Sequence, residues 1–178
     1  MSALSSLKEH TPVNMLVSFV DLTLYTKAAL SMEDQAVAKW MDAFFEKLEK
    51  IISASGGIIV KYIGDAALIV FEERLAEQGI LCLLDAKTQI DDWLSHDGYA
   101  SRLQVKIHFG QAIAGPFGGK GNKRFDVIGS TVNAAATLRE KPFCISAQAF
   151  RQLSAEGRKH FKKHTPPITY IRLEDRHG

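Results

Sequence analysis

The chain has 178 residues, of which 46% are apolar and 24% charged, with a formal net charge of +2. That length and balance suit one domain with a real core and exclude fibrous and intrinsically disordered classes. The net charge is too small to point to nucleic acid or an anionic membrane as partner.

Residues 1–12 are polar and read as a flexible segment; residues 13–178 read as one domain. VNMLVSFV, residues 13–20, is a nearly continuous apolar run and reads as a buried strand that ends at Asp21. Residues 31–34 offer a helix start, and from Ala36 the apolar positions 36, 37, 40, 41, 44, 45, 48, 51 and 52 form a helical stripe that stops before Gly56-Gly57. GGIIVKYI and AALIVF flank Gly64-Asp65 and read as a hairpin. Residues 72–95 again have helical spacing. Residues 103–114 read as a strand, 116–122 as a Gly-rich turn, and 125–128 as a strand. Residues 130–139 read as a helix capped by Ser130. A short strand near Cys144, a helix over 147–155 and a last strand over 168–173 complete the chain. This order predicts an α+β fold: a ferredoxin-like βαββαβ core with added C-terminal α/β units, an antiparallel sheet with helices packed on one face.

Other features are bland. Cys82 and Cys144 lack metal-ligand spacing and read as buried free thiols. The basic segments 120–124 and 158–163 read as solvated loops. No signal-peptide pattern opens the sequence, and no apolar run nears the ~20 residues of a membrane span. A soluble, cytoplasmic chain is expected.

Two aspartates stand out by position. Asp21 is the first polar residue after the first strand, and Asp65 sits at the hairpin tip. Taken singly, each is an ordinary turn residue. In a ferredoxin-like sheet the two carboxylates can meet at one edge, where they would repel. A hard divalent cation, magnesium or manganese, relieves that repulsion, and two such ions suit phosphoryl chemistry.

FVDLTLYT resembles the FADIxGFT motif of class III adenylate and guanylate cyclases. GGIIVKYIGDAALIVF resembles their GGxVxKxIGDAxMAVF. VKIHFGQAIAGPFGGKGNKRFDVIGSTVNAAATLRE resembles their IGIHTGxxxxGxxGxxxRxDYTVIGDTVNxAARLE. The likeness runs in order over about residues 14–155 and ends in CISAQAFRQL, similar to the segment that commonly follows.

The resemblance implies a nucleotide cyclase working with two Mg²⁺ or Mn²⁺ ions per site. Asp21, Asp65 and the backbone carbonyl of Leu22 match the metal ligands. Tyr25 and Thr26 match the turn whose amides cradle phosphates. Lys61 and Asp126 match the pair that reads adenine, which implies ATP as substrate and cyclic AMP as product. Asn133 matches the asparagine that orients the ribose, and His108 a structural, hydrogen-bonded histidine. Such sites form at a head-to-tail homodimer interface, the metal aspartates of one chain serving one site and its base-reading pair and Asn133 the opposite site. Residues 116–122 would form an arm that holds the partner.

Three departures accompany the likeness. Thr137 stands where the family carries a phosphate-stabilising arginine; Arg139 is two residues on, about 200° round a helix. Leu24 replaces the glycine often found in the phosphate turn. The family's late lysine has only a loose match, in Lys162 and Lys163. A catalytically weak or inactive nucleotide-binding or dimerisation domain is therefore the alternative reading. A diguanylate cyclase shares the fold, but the turn here reads YIGDAA.

Overall fold

The computed structural model describes residues 4–138, 141–165 and 167–173. Its elements in chain order are β1 (Thr11–Leu22), α1 (Tyr25–Ala29), α2 (Asp34–Ala54), β2 (Ile58–Ile63), β3 (Ala66–Glu72), α3 (Ala76–His96), β4 (Leu103–Phe117), β5 (Arg124–Ile128), α4 (Ser130–Ala136), β6 (Phe143–Ser146), α5 (Ala147–Phe150), α6 (Ala155–Arg158), β7 (Phe161–His164) and β8 (Thr169–Arg172). The strands form one sheet in the order β2-β3-β1-β4-β6-β8-β7, and β5 pairs with the far part of β4. The run β2-β3-β1-β4, with α2 and α3 as its connections, is the expected ferredoxin-like core.

β1 is central because its apolar residues serve both faces. Leu16 and Val20 pack with Phe44 and Leu48 of α2 and Ile80 and Leu83 of α3. Met15 and Val17 pack on the other face with Ala112, Val127 and Ala135 of α4. β1 pairs with β4 in one register from Thr11↔Ala114 to Leu22↔Leu103. Paired residues share a face, so Asp21, Lys106 and His108 all lie on the α4 side with Val17. A bulge between Ile59 and Lys61 breaks the β2–β3 ladder. It pairs Lys61 with Leu68, and so turns Lys61 to the α4 side as well.

Several elements depart from the sequence expectation. α2 and α3 cover one face, but α4 covers the other. β4 and β6 pair in parallel, because β5 and α4 intervene as a crossover before the chain returns beside β4. α1 has only five residues and no stripe to read; Tyr25 stacks on Trp40, and that tertiary contact holds it. Ser130 is not the cap of α4: Gly129, at φ 144°, takes that position and Ser130 is the first helical residue. The segment 147–155 is no single helix, because Ser146 and Ser154 each cap a separate short one. Part of the basic segment 158–163 is strand: Phe161 is buried in β7, an edge strand on which Lys162 and Lys163 discourage further pairing. Residues 4–12 include a buried Leu4 and a His10 ring stacked on Phe117 at 4.3 Å. Cys82 and Cys144 are buried and free, as expected.

Two glycines set how closely α2 and α3 approach the sheet. A Cβ on Gly57 or Gly79 would stand 2.6 or 2.7 Å from the fully buried Phe71 ring. Gly79→Ala should therefore destabilise the fold by about 1–3 kcal/mol through overpacking, despite alanine's better helix propensity. Thermal unfolding reads the effect as a drop of several degrees; a midpoint at or above that of wild type would contradict it.

Candidate active site

The end of β1 and the β2–β3 turn bring Asp21 and Asp65 together. The Asp65 carboxyl is pushed up to about 6. Its partial burial is the main cause, followed by a hydrogen bond with the Asp21 side chain and by the charge of Asp21. The backbone amides of Asp65 and Leu22 donate to the same carboxyl and pull the other way. Two carboxyls at hydrogen-bond range, one of them reluctant to ionise, suit a divalent cation. Among the described residues no cluster of three or more His, Cys, Asp or Glu side chains joins them. A sparse set of this kind fits magnesium or manganese, which keep waters and take substrate phosphates into their shell.

The turn after Asp21 is tightly held. The Thr23 amide donates to the Arg102 carbonyl at 2.9 Å, and the Thr23 hydroxyl accepts from the Arg102 amide at 2.9 Å. Leu24 follows in the left-handed conformation, φ 58° and ψ 13°, among the described residues the one non-glycine at positive φ. That conformation costs a non-glycine residue roughly 1–2 kcal/mol, and Leu24 is 57% exposed, so packing offsets little of it. Tyr25 then stacks on Trp40, which stacks on Tyr99, and so ties the first turn of α1 to the core. Thr26 is exposed on that turn.

Lys61 and Asp126 meet at 2.6 Å, between β2 and β5. The other Asp126 oxygen accepts from the Val127 amide at 2.8 Å, which fixes the carboxylate plane. The lysine side chain is 44% exposed. An exposed pair of this kind contributes at most about 1 kcal/mol to stability, so the fold does not depend on it. The pair presents a donor beside an acceptor. Lys61 is four residues from Asp65 along the hairpin, roughly 13 Å of strand, and the two pairs share no hydrogen bond or ion pair among the described residues.

Asn133 is exposed on α4, and its side-chain amide makes no hydrogen bond among the described residues. Thr137 ends α4; its hydroxyl turns back onto the Asn133 carbonyl at 2.9 Å. Arg139 lies outside the described residues. His108 is half buried, which lowers its pKa, and its Nδ1 has no hydrogen-bond partner among the described residues. The expected packing is there, but the expected hydrogen bond at that nitrogen is not. Lys162 and Lys163 sit on β7, the strand at the far edge from β2. The bulge that re-aims Lys61 and the left-handed turn at Leu24 have no signature in residue spacing. Gly110 does carry one: a Cβ there would stand 2.7 Å from the Thr131 hydroxyl, which bonds the Gln111 carbonyl and seats α4 on β4.

The ferredoxin-like sheet thus carries two carboxylates near the end of β1 and a donor–acceptor pair between β2 and β5. The family model for the adenylate and guanylate cyclase catalytic domain matches residues 7–157, and the chain belongs to that family. Adenylate cyclase 2 of Rhizobium meliloti (strain 1021) is 28% identical over 170 residues, 88% of this chain and 43% of that protein. The chain spans less than half the length of the curated relatives it matches. A bacterial light-regulated adenylyl cyclase superposes with a TM-score of 0.82 at 21% identity, covering 97% of this chain and 54% of that one. The guanylyl cyclase Cya2 superposes at 0.76 with 16% identity, covering 90% and 91%. These two structures share the fold. Among the described residues no helix is long and apolar enough to cross a membrane.

The raised Asp65 pKa has a defined sign. A carboxyl raised in the folded state contributes stability that is present below the unfolded value near 3.8 and lost as pH rises through about 6. Metal-free protein should therefore lose thermal stability over that window, and Asp65→Asn should flatten the loss. Millimolar Mn²⁺ should raise the midpoint at pH 7.5, do so less at pH 5 where protons compete, and leave Asp65→Asn unmoved. An equal Mn²⁺ shift in wild type and variant would remove Asp65 from the metal site.

Proposed function

We propose that this chain is an adenylate cyclase domain that converts ATP into 3′,5′-cyclic AMP and pyrophosphate between two copies of itself, in intracellular signalling. The observation that carries the reading is the Lys61–Asp126 pair at 2.6 Å. Adenine places an acceptor, N1, beside a donor, the 6-amino group. Lys61 donates to the first and Asp126 accepts from the second. Guanine presents the reverse order, which leaves polar groups unpaired at about 1–3 kcal/mol each.

The other residues take their roles from their positions. Asp21, Asp65 and the Leu22 carbonyl would hold Mg²⁺ or Mn²⁺, which supplies charge neutralisation for the triphosphate and acidifies a hydroxyl. The first-turn amides around Tyr25 and Thr26 face the β- and γ-phosphates, and the Tyr25–Trp40 stack keeps that turn rigid. The free Asn133 carboxamide orients the ribose. The 3′-oxygen bonds to the α-phosphorus, the bond from that phosphorus to the bridging oxygen breaks, and pyrophosphate leaves with the electron pair. The hydroxyl proton passes to solvent. Ile63, Ile113 and Ile128 expose apolar side chains close in sequence or register to these groups, which supports burial against a second copy. A homodimer would hold two sites, because one chain carries both pairs.

One observation favours a second reading. Thr137 brings no cation to the end of α4, and losing a preorganised charge there can cost ~10²–10³ in rate. The chain would then bind nucleotide without efficient turnover.

Product analysis with ATP and Mn²⁺ separates the two. The cyclase reading expects cyclic AMP from wild type and none from Asp65→Ala; tight ATP binding without turnover would favour the binding domain. Base reading has its own check. Lys61→Glu with Asp126→Cys should shift preference from ATP toward GTP while the unfolding midpoint changes little. An unchanged preference would show that these side chains do not face the base.

A further inference from the structure

Thr137 brings no cation to the end of α4, yet a lysine lines the cavity beside that helix. Lys106 stands on β4 opposite Phe19, one same-face step from the Asp21↔Gln104 pair. Diagonal neighbours across an antiparallel pair are about 7–8 Å apart, within reach of a long side chain. A cavity of about 180 Å³ opens at this point, lined by Asp21, Ala66, Gln104, Lys106 and Ala136 among others. Ala66 follows Asp65, and Ala136 precedes Thr137. The cavity therefore lies beside Asp21 and against α4, and Lys106 lines it.

Lys106 is half buried and makes no hydrogen bond or ion pair among the described residues. Lysines in this fold with a structural task look different. Lys87, 5% exposed, is satisfied by Asp91 and the Leu103 carbonyl, each at 2.8 Å. A lysine that lines a cavity and has no intramolecular hydrogen-bond or ion-pair partner among the described residues is available to an anion. The motif comparison points the same way: the family pattern has glycine where Lys106 stands and arginine where Thr137 stands.

We propose that Lys106 binds the triphosphate at the Asp21–Asp65 site of its own chain and stabilises charge on the transferring phosphate, so that β4 of the metal-binding chain supplies the cation that Thr137 on α4 of the second copy does not. The proposal rests on the cyclase reading for its rate effect and on geometry alone for its binding effect. A lysine is a compact charge with three rotatable donors, suited to phosphate oxygens whose charge shifts during transfer.

The test uses the full chain with Mn²⁺ and two probes. One is 3′-deoxy-ATP, which keeps the triphosphate and lacks the attacking hydroxyl; the other is 3′-deoxyadenosine, which has no phosphate. Lys106→Met should weaken 3′-deoxy-ATP binding by about tenfold or more and leave 3′-deoxyadenosine unchanged. The same variant should lower kcat by ~10²–10³. Thr137→Arg placed in the Lys106→Met background should recover at least part of both losses, and Lys106→Arg should keep most of the affinity. Lys106→Gln replaces the methionine variant if that one does not fold. Unchanged 3′-deoxy-ATP affinity, or an equal loss for both probes, overturns the proposal, as does a wild-type chain that does not bind the triphosphate. If wild type binds 3′-deoxy-ATP but forms no cyclic nucleotide, the cyclase reading fails, and the affinity comparison still decides the role of Lys106.

Discussion

The central strand β1 carries apolar side chains on both faces, Leu16 and Val20 toward α2 and α3, Met15 and Val17 toward α4. Because it is packed on both sides, its register with β3 and β4 cannot slip by one residue without moving every one of these side chains to the wrong face. Asp21 is the first charged residue of that strand, so its position follows from the packing behind it. The same register orients Lys106 and His108, and β3 carries the turn that brings Asp65 alongside.

Local strain and charge concentrate at that strand end. Asp65 is held beside Asp21 against desolvation and repulsion, and Leu24 is held in a conformation that suits glycine. Neither feature stabilises the fold at neutral pH. Both persist because the Thr23–Arg102 hydrogen bonds and the Tyr25–Trp40–Tyr99 stack fix the backbone around them. The Lys61–Asp126 pair is a milder case, too exposed to matter much to stability, yet held in place by a bulge and a backbone amide. Lys106, which lines the cavity with Asp21, has no hydrogen-bond or ion-pair partner among the described residues.

Much of this architecture is legible in the amino-acid sequence. The continuous apolar run of residues 13–20 and the 3.6-residue stripe from Ala36 specify a buried strand and a one-sided helix, and both form. Gly64-Asp65 between two β-rich runs specifies the hairpin. The serial motifs specify the family, and with it Asp21, Asp65, Lys61, Asp126 and Asn133 as candidate site residues. Short elements are less readable. α1 and β7 are too short for periodicity to show, and the break between α5 and α6 depends on which serine caps which helix.

The sequence by itself determined the βαββαβ order, the buried cysteines and the carboxylates at the strand ends, because apolar periodicity and turn chemistry are local properties. Tertiary structure alone decided which side chains meet. The bulge at residues 59–61 turned Lys61 toward Asp126, the β1–β4 register put Lys106 in the cleft with Asp21, and α4 settled on the face opposite α2 and α3. Each of these depends on pairing between residues dozens of positions apart, and no residue spacing along the chain encodes it.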